Sequence, residues 1–218
     1  METAARAYYV GQQTGATCAM VPETRDIFML VLIIGLILFL GIHSVRIVAP
    51  GWAADRQATM GEGPWKGLYS LVSLAGLVLI VWGYSMARND VIVWQPPFWM
   101  SHVTALLMLF SLILLAVFQL PAGRIKPAVK HPMLAAVKIW AFAHLLANGD
   151  LASIVLFGSF LAWAVVDRIS VKRRGVAVAA PGPVKWDVAA LVTGLVLYVL
   201  FVFWLHAVLF GVQPLAMG

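Results

Sequence analysis

The stretch KHPMLAAVKIWAFAHLLANGD, residues 130–150, decides how this chain is organised. It is apolar enough to enter a bilayer, yet after the initial Lys130 it carries five polar or charged side chains: His131, Lys138, His144, Asn148 and Asp150. Polar side chains are costly in hydrocarbon, so a segment of this kind is a candidate functional site. The other long apolar runs are typical of ordinary membrane spans.

The composition outside this stretch indicates a membrane protein. Of the 218 residues, 62% are hydrophobic and 11% are charged, against roughly 45–50% and about 25% in soluble domains. Apolar runs of about 20 residues recur without strict alternation, which favours an all-α polytopic helical bundle over a β-barrel. The net charge of +6 comes from short loops and not from a basic soluble domain, so a nucleic-acid partner is not expected.

The apolar runs predict about six transmembrane helices in one membrane domain, residues 27–212. Gly76 and Gly83 interrupt the second run, as is tolerated where helices pack closely. The first predicted span covers residues 27–43 and extends at most to 48, and the other five cover residues 68–86, 99–119, 131–148, 151–166 and 188–210.

Segments four and five are expected to form a short helical hairpin. Pro132 suits the first turn of the fourth segment, Asn148-Gly149 is a tight-turn signal, and Asp150 can cap the next helix. Both segments have at most about 18 residues, near the lower limit for a span. The hairpin is therefore expected to cross the bilayer incompletely.

The basic residues predict the orientation of the chain. Eleven of the fifteen Lys and Arg residues lie in the loops after spans one, three and five. The positive-inside rule then places those loops in the cytoplasm and both termini outside. We expect a multi-pass protein of the bacterial inner membrane.

The two ends of the chain carry little information. Residues 1–26 lack the basic-then-apolar order of a signal peptide, and we interpret them as a disordered leader or as the product of a misassigned start codon. Residues 213–218 form a short tail. Cys18 is the only cysteine, which excludes an intrachain disulfide and a site made of four cysteines.

All five histidines lie in or at the edge of a predicted span: His43, His102, His131, His144 and His206. Neutral imidazole is an axial ligand for haem iron and also binds zinc and copper. Acidic residues are nearly absent from the spans, which argues against a hard-metal or di-iron carboxylate site. A packed histidine bonded to a neighbouring helix is the alternative for each of the five.

Depth along the helices limits which histidines can act together. His43 and His131 are predicted near the cytoplasmic side, whereas His102, His144 and His206 are predicted near the outer side. A haem held by two imidazoles needs ligands at similar depth. This allows His43 with His131, or two of the outer three.

Two further residues of the fourth segment are candidates. Lys138 lies two turns after His131 on nearly the same face, where it either extends to the membrane surface or offsets an anionic group such as a haem propionate. Asn148 follows His144 by four residues and either orients its ring or satisfies the end of the helix.

Three parts of the chain resemble the NnrU family of bacterial inner-membrane proteins, whose relatives include the plant and cyanobacterial zeta-carotene isomerases. They are Gly41-Ile42-His43-Ser44 with Arg46, His131-Pro132, and the block from Trp140 to Asp150. The resemblance covers about residues 29–212, and the block ending in Asn148-Gly149-Asp150 is its most specific part.

The resemblance implies a link to denitrification and nitric-oxide metabolism. From the isomerases it implies haem b held by His43 and His144, with His131 as the alternate ligand. Where the isomerases have a cysteine three residues before the second ligand, this chain has Ala141. The ligand pair also conflicts with the depths that the helix positions predict, a conflict that an incompletely inserted hairpin would reduce.

Three other functions fit the sequence. One is a haem-dependent cis-trans isomerase of a carotenoid or another isoprenoid. Another is a membrane methyltransferase that uses S-adenosylmethionine, because His131-Pro132 after a basic residue resembles those enzymes. The last is a non-enzymatic assembly factor for a redox partner protein.

Overall fold

The computed structural model describes residues 22–215, with side chains from residue 26, and most of the predicted leader lies outside this range. The described part is built from nine α-helices and one π-helical turn, Phe201–Leu205, which joins the last two helices. The α-helices are α1 Pro22–Val48, α2 Pro50–Met60, α3 Glu62–Ala87, α4 Met100–Gln119, α5 Ile125–Val129, α6 Pro132–Ala147, α7 Leu151–Arg173, α8 Lys185–Leu200 and α9 His206–Phe210. The prediction of an all-α bundle is confirmed.

Five helical segments are long and apolar enough to cross a membrane: Asp26–Val48, Glu62–Ala87, Met100–Gln119, Leu151–Arg173 and Lys185–Phe210. Helix α6 is apolar but has only 16 residues. The prediction that both arms of the hairpin are short is therefore wrong for α7. The apolar run ends near Asp167, but the helix continues through the charged residues that follow it.

Glycines bring α1 and α3 into close contact. A Cβ atom at Gly35 would lie 2.6 Å from the Ile80 nitrogen, and one at Gly76 would lie 2.7 Å from the Phe39 nitrogen. A Cβ atom at Gly83 would overlap the backbone of Leu32. The predicted role of Gly76 and Gly83 is confirmed, and the missing side chains let the two backbones approach closely.

The turn between α6 and α7 is buried against the loop that precedes α4. The Gly149 carbonyl accepts hydrogen bonds from the nitrogens of Val93 (2.8 Å) and Trp94 (3.1 Å). The Asp150 carboxylate accepts from the Ser153 nitrogen at 2.9 Å and from its hydroxyl at 2.6 Å. The predicted cap at Asp150 is confirmed, and its carboxylate is 3% exposed, so it is a structural group.

Helix α4 lies between α6 and α8. The hydroxyl of Thr104 donates to the Ala143 carbonyl and that of Ser111 donates to the Ala136 carbonyl, both at 2.9 Å. The buried Asp187 carboxylate at the start of α8 accepts from the backbone nitrogens of Arg124 and Ile125. These bonds satisfy polar groups inside the bundle, where the bilayer offers no water.

The bundle has a basic end and an opposite end. We call the basic end the one where α1, α4 and α7 finish, because residues 46–66, 124–130 and 168–185, which lie there, include eleven Lys and Arg residues. The opposite end holds the turn at residues 148–150. There Arg88 donates to the Phe210 carbonyl at 3.0 Å, while Gly83 contacts the early part of α1. The two ends of the described chain therefore lie at the same end of the bundle.

Substitution of Gly149 tests the packing of the turn. A Cβ atom there would overlap the Trp94 carbonyl, so Gly149→Ala should lower the Tm in detergent by about 5 °C, the effect of moderate overpacking. Gly158 in α7 is the control, because a Cβ atom there meets nothing within 4 Å. Gly158→Ala should leave the Tm unchanged or raise it. Equal effects of the two variants would contradict the close packing of the turn.

Candidate functional site

His43 is held by its own helix and by aromatic neighbours. Its Nδ1 lies 2.6 Å from the Phe39 carbonyl oxygen, and because a carbonyl only accepts, Nδ1 carries the proton. Its ring stacks on that of Phe39 at 4.3 Å and meets the rings of Tyr69 at 5.2 Å and Trp163 at 6.0 Å edge to face. A neutral ring in this state presents Nε2 as a free lone pair, as a metal ligand does.

Other polar groups surround His43 at the basic end. The Trp163 Nε1 atom is buried and has no hydrogen-bond partner among the described residues. The charge of Asp167 acts on His43, His131 and Tyr69. We call His43, Tyr69, His131, Trp163 and Asp167 the basic-end cluster.

Ser73 adds a second unpaired group on the same helix as Tyr69. Its hydroxyl is buried and, within the described chain, has no hydrogen-bond partner. Ser73 follows Tyr69 by one turn of α3, so the two side chains lie on one face of that helix. Buried unpaired polar atoms are rare in folded proteins. Trp163 contacts the His43 ring, and Ser73 lies one turn from Tyr69, which also contacts it, so these two atoms favour a site for a polar ligand.

His131 lies just before α6, outside the apolar part of the helix. Partial burial, followed by the nearby Arg168 guanidinium, lowers the pKa of His131 below its usual 6.5, and Asp167 opposes this shift. The imidazole is therefore neutral near pH 7 and can act as a ligand.

His144 lies nearer the opposite end. Its Nδ1 donates to the Trp140 carbonyl at 2.8 Å, and its ring stacks on Phe157 at 4.6 Å. The Asn148 side chain donates to the His144 carbonyl at 2.8 Å. It thus satisfies the end of α6, and no hydrogen bond joins it to the imidazole.

Three aromatic rings lie between His43 and His144. Ring contacts run from His43 to Phe39, Phe160, Trp140 and His144 with centroid distances between 4.3 and 5.7 Å. We call this series the aromatic row. His43 lies one turn beyond Phe39 towards the basic end. His144 packs on Phe157, which lies one turn before Phe160 on the side of the opposite end. At 1.5 Å per residue, the two imidazoles therefore differ in depth by roughly 10 Å.

The rings of Phe39, Phe160 and Trp140 lie between His43 and His144. A single group held by both imidazoles would require these rings to move. His43 and His131 lie at the same end of the bundle, where Asp167 also lies.

The remaining candidates lie outside the basic-end cluster. Lys138 is half-buried in α6, and no hydrogen bond or ion pair joins its ammonium to another described residue. His102 is exposed at the start of α4. His206 follows the π-helical turn, and its Nδ1 donates to the Val212 carbonyl at 2.7 Å.

The described residues contain no group of three or more His, Cys, Asp or Glu side chains able to hold a metal ion.

The sequence profile of the family described as NnrU protein matches residues 31–214. This chain belongs to the NnrU family. No significant match was found among curated proteins or among solved structures. The matched region includes the basic-end cluster, the aromatic row and the turn at residues 148–150.

Sequence reasoning did not select Tyr69, Trp163 or Asp167 of the NnrU chain as site residues. Each lies in an apolar run or at its end. The spacing within such a run shows which residues share a face of one helix, but it does not show which faces of two helices meet. Asp167 carried the only available signal, because it is an acidic residue at the end of an apolar span.

Substitutions of the two charged residues near His131, Arg168 and Asp167, should shift the pKa of His131 in opposite directions. Arg168→Gln removes a positive charge that disfavours the imidazolium, so the pKa of His131 should rise. Asp167→Asn removes a negative charge that favours it, so the pKa should fall. NMR titration of ¹³C-labelled histidine in micelles measures both, with Lys172→Gln as the control. Shifts of the same sign in both variants would contradict the arrangement.

Proposed function

We propose that this NnrU-family protein binds haem b in the bacterial inner membrane and acts in the nitric-oxide metabolism that accompanies denitrification, with a redox partner protein. The observation that carries the proposal is the state of His43. Its Nδ1–H is bonded to the Phe39 carbonyl, which leaves Nε2 as the nitrogen available to a ligand. The ring contacts Tyr69 and Trp163, and the buried Trp163 Nε1 has no hydrogen-bond partner among the described residues.

His43 is the ligand on which the proposal depends. The resemblance to the isomerases favours His144 as the second ligand, but the aromatic row separates the two, and shared depth favours His131. When bound, the haem would supply an iron centre that binds nitric oxide or carries an electron. The chain's own part is to fix the His43 ring between Phe39 and Trp163 and to offer the Trp163 N–H as a donor beside it.

A second candidate function is haem-dependent isomerisation of a cis isoprenoid or carotenoid. The packing of His144 favours it, because Trp140 and Phe157 surround this imidazole with apolar surface suited to a polyene. Conversion of a cis-carotene by the protein in vesicles would establish it, and inactivity across carotene precursors would exclude it.

The haem proposal predicts which histidine variants lose the cofactor. Purified protein expressed with a haem supply should show a Soret band. His43→Ala and His131→Ala should lower haem occupancy at least about tenfold, since even partners of a metal ligand cost 10- to 100-fold when removed. His144→Ala should retain haem, because the aromatic row separates it from His43.

His102→Ala is the control for this series, because His102 is exposed and outside the cluster. Its haem occupancy should equal that of the unmodified protein. Absence of a Soret band from the unmodified protein would overturn the proposal. If the single variants His43→Ala and His144→Ala both lose haem, the aromatic row must open to admit a porphyrin. That result would contradict the pairing of His43 with His131.

The orientation is part of the proposal, with the basic end in the cytoplasm. In a Cys18→Ser background, a cysteine at Gln95 on the opposite end should react with an impermeant maleimide in intact spheroplasts. A cysteine at Thr59 on α2 should react only after permeabilisation. Both positions are exposed, so either cysteine can react once the reagent reaches it. Reaction of the cysteine at Thr59 but not of the one at Gln95 in intact spheroplasts would contradict the orientation.

A further inference from the structure

A cleft of about 420 Å³ lies at the basic end, between the end of α1 and the last two turns of α7. Ile47 and Pro50 line it on one side, and residues 166, 169, 170, 173 and 174 of α7 line it on the other. Ile47, Val166 and Ile169 make one part of the lining apolar, whereas Ser170, Arg173 and Arg174 make the other part polar. The volume is within the range of small-molecule sites in proteins.

The cleft residues of α7 form one stripe. Residues 166, 169, 170, 173 and 174 recur at spacings of three and four, so they share a face of the helix. Val166 is 51% exposed and Ile169 is 46% exposed. The apolar part of the stripe is therefore continuous with the surface that a membrane-spanning helix presents to lipid, and the arginines lie where the helix leaves the apolar region.

The charges in the cleft are positive in excess. Arg174 lies 3.7 Å from the Asp167 carboxylate, and its Nε donates to the Ser170 hydroxyl at 3.2 Å. Arg173 has no ion pair with any described residue. Two guanidinium groups with one paired carboxylate leave donors available, and guanidinium groups bind phosphate oxygens in bidentate geometry.

We propose that this cleft binds the headgroup phosphate of an anionic phospholipid, with an acyl chain along Ile47, Val166 and Ile169. Retention of the basic loops in the cytoplasm requires only the presence of arginines. It does not require a cleft in which an apolar surface leads to them. An amphipathic anion satisfies both the apolar and the basic part of the cleft, whereas a free phosphate satisfies only the basic part.

The test compares short-chain lipids with the same acyl chains. Dioctanoyl phosphatidylglycerol and dioctanoyl phosphatidylcholine are titrated onto the purified full chain in neutral detergent, and bound lipid is read by native mass spectrometry. The anionic lipid should bind about tenfold more tightly, the difference that a charge-assisted hydrogen-bond pair produces. Inorganic phosphate at equal concentration should not displace it.

Two variants and one control make the assignment specific. Arg173→Gln with Arg174→Gln should reduce the preference to within about twofold. Lys172→Gln with Lys185→Gln removes the same charge from exposed positions outside the cleft and should retain it. Ile169→Trp should block binding of both lipids without any change of charge.

Three outcomes would overturn the proposal. They are equal affinity for the two lipids, a preference that survives the double arginine substitution, and displacement by free phosphate, which would assign the cleft to the phosphate ion. The Soret absorbance and the elution volume of each sample are recorded as well. A loss of lipid binding can then be separated from unfolding and from the proposed haem site.

Discussion

Every polar group inside this bundle must find its partner within the protein, because the hydrocarbon core of a bilayer supplies no water. That constraint explains the local bonds of the buried side chains. Ser44 and His43 donate to carbonyls one turn earlier in α1, and His144 does the same in α6. Each of these bonds leaves the helix intact and fixes the side chain.

The same constraint separates buried polar groups that have a partner from those that have none. Asp150 and Asp187 are buried, yet each carboxylate accepts from backbone nitrogens, and that of Asp150 also accepts from the Ser153 hydroxyl, so both are structural. Ser73 Oγ and Trp163 Nε1 are buried without partners in the described structure. Trp163 contacts His43, and Ser73 lies one turn from Tyr69, which also contacts it. These residues are therefore candidates for function, whereas the many other polar residues only stabilise the fold.

Much of the fold could be predicted from the sequence because each prediction depended on neighbours along the chain. Apolar runs located the spans, Gly76 and Gly83 indicated a close helix contact, and Asp150 was identified as a cap. The length of α7 could not be predicted in the same way, because a helix can continue past the charges that end its apolar run. Tertiary packing and the membrane interface decide where such a helix stops.

The site was harder to predict because it depends on contacts between helices. The resemblance paired His43 with His144, whereas depth allowed His43 with His131 or two of the outer three histidines, and the aromatic row lies between His43 and His144. Helical spacing alone could not reveal Phe39, Phe160 and Trp140 as one series, since they come from three different helices. Asn148 had two interpretations, and its bond to the His144 carbonyl matches the structural one.

The central claim is that the interior imidazoles are held as neutral rings with the proton on Nδ1 and a free Nε2. Solid-state ¹⁵N NMR of the histidine-labelled, haem-free protein in bilayers measures this state directly. We predict a protonated Nδ1 and an unprotonated Nε2 for His43 and His144, assigned with the corresponding alanine variants. A protonated Nε2 on His43 would contradict the claim, because that ring could then not present a lone pair to any ligand.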